Sequence, residues 1–220
     1  MRAFSESAGV SCRSCSTPLQ RVVTDFGADH AFGQVPHKLQ EHYGIELSKS
    51  TIREVALHHG QCMSQHSTQS FEEATETSGC VLQTGGMDGC MIPIVTPNTD
   101  DEVKDKRKKK QLHWKEVRLA TVCEQGRVEP KFGALFQGNV DDAGQVLFDC
   151  AVSAGFGGST HFHSVGDGAV WIANQVANKF STQGSYLVDF YHVCEYVSAA
   201  SKTCANDERK EWTEEQKVLL

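Results

Sequence analysis

Two aspartates beside glycines are the residues best suited to chemistry: Asp88, in GGMDG at 85–89, and Asp167, in GDG at 166–168. Carboxylates that face each other in a partly dry cleft repel, and a divalent cation relieves that repulsion. Mg²⁺ and Mn²⁺ prefer oxygen ligands, and such ions activate a water or a 3′-hydroxyl against a phosphodiester. The pair therefore predicts a metal site for phosphodiester chemistry. Either aspartate alone is more typical of a turn.

The elements that must position these aspartates follow from hydrophobic periodicity. Strands are predicted over 80–95 (one bent strand or a pair), 114–123, 128–136, 161–165 and 186–188, with a charged loop at 96–113. Helical stripes begin at Val140, Ile172 and Phe190. The order β-β-β-α-β-α-β-α predicts an α/β fold with a mixed, helix-covered sheet. Its first and fourth strands can be neighbours, and Asp88 and Asp167 would then meet at one end of the sheet.

A helix-turn-helix is predicted ahead of the sheet. One helix precedes Gly44, with Pro36 in its first turn, and a second, capped by Ser48 or Ser50, ends at Gly60. A helical hairpin without DNA contacts has the same pattern. If the unit binds DNA, the start of the second helix contacts phosphates or base edges. The candidate contacts are Lys49, Ser50, Thr51 and Arg53.

Changes in composition divide the chain into four predicted segments. Residues 1–20 are polar, contain cysteine and are expected to be irregular, and residues 21–77 hold the helix-turn-helix and a linker. Residues 78–205 hold the sheet, and the acidic residues 206–220 begin a further helical insertion. Because neither a run of about 18 apolar residues nor an apolar leader is present, we expect a cytoplasmic protein without a membrane partner.

The charge of the chain weighs against a nucleic-acid partner, because the formal net charge is −7 and DNA-binding domains are usually basic. One short stretch, from Lys104 to Lys110, is nevertheless strongly basic. That stretch either contacts DNA phosphates or is a solvated loop. The candidate phosphate contacts are Lys106, Arg107, Lys108, Lys109 and Lys110.

A close cysteine pair, Cys12 and Cys15, has the spacing of half a zinc site. A complete site requires two more ligands, and the nearby histidines fall in or beside helical patterns. Those histidines are His30, His37 and His42. The seven other cysteines are spread singly along the chain and are expected to be reduced thiols.

Four blocks of the sequence resemble successive blocks of the ISKra-type insertion-sequence transposases. They are MDGCMIP at 87–93, KEVRL at 115–119, VGDGAVWI at 165–172 and VDFYHVCE at 188–195. The helical segment at 32–60 is similar to the stretch that precedes the core in that family, so that the resemblance covers roughly residues 25–205. Cys90 stands where the family has threonine.

The resemblance implies a DDE transposase with an RNase H-like core, in which Asp88 and Asp167 are the first two of three metal-binding acids. The third acid, a glutamate on a later helix, has no counterpart here, so we expect a truncated copy, a fragment or a repurposed remnant. Asp189 and His192 would have a supporting role near the site, although Asp189 also fits a helix cap. Glu195 is better interpreted as a surface residue than as the third acid.

Three functions follow from these observations. The chain is an enzyme that cleaves and joins transposon ends, or a catalytically dead remnant that binds DNA ends or inhibits the intact transposase. The third alternative is a zinc-dependent DNA-binding regulator that uses the cysteine pair. The expected partners are DNA and a second copy of the chain or the intact transposase.

Overall fold

The computed structural model describes Val10 and residues 12–67, 78–97, 110–205 and 208–219. The chain divides into two compact units, Met1–Gln69 and Ser70–Leu220, which we call the helical unit and the sheet unit. Each unit has a hydrophobic cluster of its own. None of the described helices combines the length and the apolar content that crossing a lipid bilayer requires.

The described residues of the helical unit form the helices α1 (Thr17–Asp29), α2 (Val35–Tyr43) and α3 (Lys49–Ser67). They enclose a cluster that consists of Cys15, Val23, Val35, Leu39, Ile52 and Val55. The expectation that residues 1–20 are irregular is wrong from Thr17 onward. Pro18 lies in the first turn of α1, where proline costs no hydrogen bond, and α1 buries Val23 against the other helices.

The ends of α2 and α3 test the predicted capping residues. Gly44 ends α2 with φ at 64°, the left-handed conformation expected of it. Ser48 precedes α3 and caps its start, because its hydroxyl accepts a hydrogen bond from the Thr51 amide at 3.1 Å. The predicted end of α3 at Gly60 is wrong, because the helix continues to Ser67. A glycine inside a helix costs only about 1 kcal/mol and does not by itself end it.

In the part of the sheet unit that the structure describes there are five strands and four helices, with a short 3₁₀ turn at Ser181–Gln183. In chain order they are β1 (Leu82–Pro97), β2 (Lys110–Glu124), β3 (Lys131–Phe136), α4 (Val140–Ser153), β4 (His161–Gly166), α5 (Val170–Phe180), β5 (Gly184–Val188), α6 (Phe190–Cys204) and α7 (Arg209–Val218). This is the predicted alternation of strands and helices, with α7 added, and the fold is mixed α/β.

The sheet has the order β3-β2-β1-β4-β5. The strands β1, β2 and β3 are antiparallel, whereas β4 is parallel to both β1 and β5. The prediction that the first and fourth strands are neighbours is therefore confirmed. The predicted loop at 96–113 is wrong at both ends, because cross-strand pairing continues to Pro97 opposite Lys110. Within the described residues, 80–95 holds one long strand rather than a strand pair.

The two faces of the sheet differ. The helices α4 and α5 pack side by side on one face, over a core that includes Met87, Leu147 and Phe162. Side chains alternate between faces along a strand. Asp88 therefore lies on the opposite face, where it and Leu119 are exposed. We call this opposite face of the sheet the open face.

Candidate metal centre

The alignment of β1 with β4 relates the two predicted metal-binding aspartates. The pairing of β1 with β4 runs from Leu82 opposite His161 to Gly85 opposite Ser164. Extended by three residues beyond the Gly85–Ser164 pair, one residue past the end of β4, the same register would bring Asp88 level with Asp167. On that extension, the alternation of side chains would direct both carboxylates toward the open face. Strand register therefore provides the physical basis for treating the two aspartates as one site.

Two glycines of β1 permit this close alignment. A methyl group on Gly86 would lie 2.7 Å from the carbonyl oxygen of Val165, so β1 and β4 remain close beyond the pair of Gly85 with Ser164. A methyl group on Gly85 would lie 2.7 Å from the Phe162 ring. Any larger residue at either position would push β4 away from β1.

Each aspartate keeps part of its carboxylate available. The Gly89 amide donates a hydrogen bond to Oδ1 of Asp88 at 2.7 Å, and the Ala169 amide donates one to Oδ1 of Asp167 at 2.8 Å. Within the described part of the chain, the Oδ2 atom of neither aspartate has a hydrogen-bond partner. Asp88 is exposed and Asp167 is half-buried. The chemistry of these oxygens fits Mg²⁺, which accepts two carboxylates and retains several waters.

Two tyrosines that the sequence analysis did not single out contact the turn that carries Asp167. The Gly168 amide donates a hydrogen bond to the Tyr186 hydroxyl at 3.0 Å, and the Tyr196 hydroxyl donates one to the Asp167 carbonyl at 2.8 Å. Burial raises the pKa of Tyr186 above its ordinary value, and the negative charge of Asp167 adds to this effect. Neither tyrosine lies within three residues of the aspartate, so local sequence patterns carried no signal for them.

Asp189 and His192, the predicted supporting residues, lie at the start of α6. Asp189 caps this helix, since its Oδ1 accepts hydrogen bonds from the Tyr191 amide at 2.8 Å and the His192 amide at 3.4 Å. The His192 ring nitrogen Nδ1 lies 3.5 Å from the same oxygen. The Asp189 amide donates to the Gly166 carbonyl at 2.7 Å and so extends the contact between β4 and β5. Glu195 is exposed, in agreement with its interpretation as a surface residue.

The described residues include no group of three or more His, Cys, Asp or Glu side chains arranged to hold a metal ion. The pair of Asp88 and Asp167 thus offers two protein ligands.

Cys12 and Cys15 belong to a turn in which the Cys15 amide donates to the Cys12 carbonyl at 3.0 Å, and both are free thiols. Burial, followed by the charge of Cys12, raises the pKa of Cys15. Among the described residues, no group of three or more possible ligands includes this pair.

The predicted DNA contacts on the helix-turn-helix lie at the start of α3. Lys49, Ser50 and Arg53 are exposed and Thr51 is half-buried. The Ser48 hydroxyl lies 2.8 Å from that of Ser50 and 2.9 Å from that of Thr51. Two of the four candidates therefore already take part in the capping of α3, whereas Lys49 and Arg53 keep their charges in solvent.

The basic stretch is described at one position. Lys110 is the first residue of β2 and is exposed. The other candidates for phosphate contact lie outside the described residues; they are Lys106, Arg107, Lys108 and Lys109.

No known protein family matches the chain, and no curated protein sequence is similar to it.

Proposed function

We propose that this chain is a metal-dependent polynucleotidyl transferase with an RNase H-like core, an insertion-sequence transposase that cleaves and joins DNA strands. The observation that carries the proposal is the parallel pairing of β1 with β4, whose register, extended past the Gly85–Ser164 pair, would bring Asp88 level with Asp167. Three antiparallel strands followed by two parallel strands beside β1 support this type of core. The resemblance at 87–93, 115–119, 165–172 and 188–195 supports DNA ends as the substrate.

In this proposal Asp88 and Asp167 hold Mg²⁺ or Mn²⁺ through their carboxylate oxygens. An ion held there would supply activation of an attacking water and charge neutralisation at the phosphodiester. The chain itself fixes the two strand ends and orients the Asp167 carboxylate through the Ala169 amide at the start of α5. The exposure of Asp88 leaves room for a DNA strand on the open face. Lys49 and Arg53 would contact DNA phosphates from the helical unit.

A DNA-binding protein without cleavage activity is the second candidate. The observation that favours it is that the described residues offer two acids and no third ligand at the centre. In this case the chain would occupy DNA ends or form mixed oligomers with an intact transposase. The candidates differ in one measurable property, since only the enzyme breaks a phosphodiester bond.

The decisive experiment is nicking of supercoiled DNA by the full chain in Mn²⁺, with Asp88→Asn and Asp167→Asn as test variants. We expect each variant to reduce nicking about 100-fold or more, because several kcal/mol of transition-state stabilisation depend on the ion. Glu195→Gln is the matched control, since it removes an exposed carboxylate of the same unit and should retain wild-type activity. Chelation with EDTA should abolish nicking by the wild type.

Binding measurements separate the two candidates. DNA binding by the wild type without nicking in Mg²⁺ or Mn²⁺ would support the inactive binding protein. If both aspartate variants nick DNA as fast as the wild type, the assignment of this metal centre is wrong.

A further inference from the structure

The turn that carries Asp167 is held by two elements that follow it in the chain. Tyr186 lies on β5 and its hydroxyl accepts the Gly168 amide at 3.0 Å, whereas Tyr196 lies on α6 and its hydroxyl donates to the Asp167 carbonyl at 2.8 Å. These bonds engage the carbonyl of Asp167 and the amide of the residue after it. Because this carbonyl and this amide belong to one peptide group, the two bonds together restrain the peptide between Asp167 and Gly168.

The two glycines beside Asp167 match these tyrosines. A methyl group on Gly166 would lie 2.7 Å from the Tyr186 hydroxyl oxygen, and one on Gly168 would lie 3.3 Å from the Tyr196 hydroxyl oxygen. Gly168 also has φ at 94°, a conformation that other residues adopt only with strain. The glycines therefore allow both phenol groups to approach the backbone of the aspartate, which accounts for glycine on each side of it.

We infer that Tyr186 and Tyr196 are positioning residues that aim the Asp167 carboxylate at the cation, an inference that rests on the proposed function. The direction of an aspartate carboxylate depends on its backbone, because only two side-chain torsions lie between them. The Ala169 amide fixes Oδ1 of Asp167, and the two phenol groups fix the turn that contains this amide. Tyr186 and Tyr196 thus act on the metal through Asp167 and do not touch it.

The first test measures the turn itself and requires no metal. Selective ¹⁵N-glycine labelling of the full chain gives an amide signal for Gly168, whose hydrogen exchange is compared between wild type and Tyr186→Phe. We expect exchange at Gly168 to become about tenfold faster, since the phenylalanine leaves this amide without its acceptor. Unchanged exchange would show that Tyr186 does not hold the turn and would overturn its part of the inference.

The second test measures Mn²⁺ affinity by calorimetry on the full chain, with no DNA present. We expect Tyr196→Phe to weaken binding about three- to tenfold, the effect of one lost hydrogen bond, while the thermal midpoint falls only slightly. Tyr191→Phe is the matched control, because Tyr191 is an exposed tyrosine of the same helix. In an Asp167→Asn background, Tyr196→Phe should have no further effect on Mn²⁺ affinity, whereas a merely structural role would weaken both backgrounds equally.

The two measurements distinguish failure of the inference from failure of the proposed function. If Asp167→Asn weakens Mn²⁺ binding and Tyr196→Phe does not, the metal site is correct and the positioning role is wrong. If Asp167→Asn leaves Mn²⁺ binding unchanged, the proposed metal centre fails and the positioning role fails with it. The exchange of Gly168 would then report only whether Tyr186 holds the turn.

Discussion

The thiol of Cys150 illustrates how burial changes the chemistry of a single residue. Cys150 on α4 is 5% exposed. Burial raises the pKa of this thiol to about 11, and the neighbouring charge of Asp149 acts in the same direction. The folded protein therefore favours the neutral thiol. The resulting stabilisation is complete below about pH 9 and is lost as the pH rises toward 11.

We predict that Cys150→Ala reduces the loss of stability at alkaline pH. At neutral pH the variant should be less stable by about 1 kcal/mol because a buried sulfur is removed. Between pH 9 and 10.5, its urea midpoint should fall less steeply than that of the wild type. Cys90→Ala, which removes an exposed thiol, should follow the wild-type profile. Parallel profiles for wild type and Cys150→Ala would contradict the expected neutral thiol.

At the residue scale, sequence singled out two candidate acids but not the groups around them. Asp88 and Asp167 stand out because glycines flank them and because the strand order suggested a common edge. Tyr186 and Tyr196 gave no such signal, since a hydrogen bond from a distant phenol depends on how β5 and α6 return to the turn. Asp189 was predictable as a cap because its side chain needs only the amides of the next residues.

At the scale of elements, the approach of α4 to β3 depends on Gly133. A methyl group there would contact Val146 closely and would lie 2.9 Å from the Cys150 sulfur. We predict that Gly133→Ala destabilises the sheet unit by about 1–3 kcal/mol, because α4 must move away from β3. The free energy of unfolding in urea measures this change.

Gly89→Ala is the matched strand control for Gly133→Ala. Its methyl group would lie 3.1 Å from Oε1 of Glu116, the end of a flexible side chain that can move aside. We expect a change below about 0.5 kcal/mol. Equal costs at Gly133 and Gly89 would show that close packing of α4 does not explain the glycine on β3.

Element types followed from periodicity more reliably than element ends did. The elements β1, β2, β4, α4 and α5 were predictable because each buries one regular face. The helix α1 was missed because its buried positions are few and the serine and cysteine around Pro18 resemble a loop. The paired region of β1 and β2 is longer than predicted, because charged residues such as Lys110 can also take part in cross-strand pairing.

At the scale of the whole molecule, each unit has its own core and should respond to its own mutations. Leu39 and Leu147 are fully buried, one in each unit, and truncation of either to alanine should cost about 2–5 kcal/mol. The three tryptophans, Trp114, Trp171 and Trp212, all belong to the sheet unit. Tryptophan fluorescence during urea unfolding therefore reports that unit alone.

We predict that Leu147→Ala lowers the fluorescence midpoint, whereas Leu39→Ala leaves it unchanged and alters only the helical signal in circular dichroism. The reason is that the described members of the cluster around Leu39 all belong to the helical unit. A fluorescence midpoint that falls in Leu39→Ala would show that the two units unfold as one.

The pairing of β1 with both β2 and β4 has a consequence for the order of folding. The antiparallel pairing begins with Pro97 opposite Lys110, which are close in the chain, whereas the parallel pairing joins Leu82 to the distant His161. Closure of the longer loop costs more entropy and is expected later. A nascent hairpin of β1 and β2 would already display Asp88 while Asp167 is still unanchored, so the proposed cation site would form only when the central strand acquires its second neighbour.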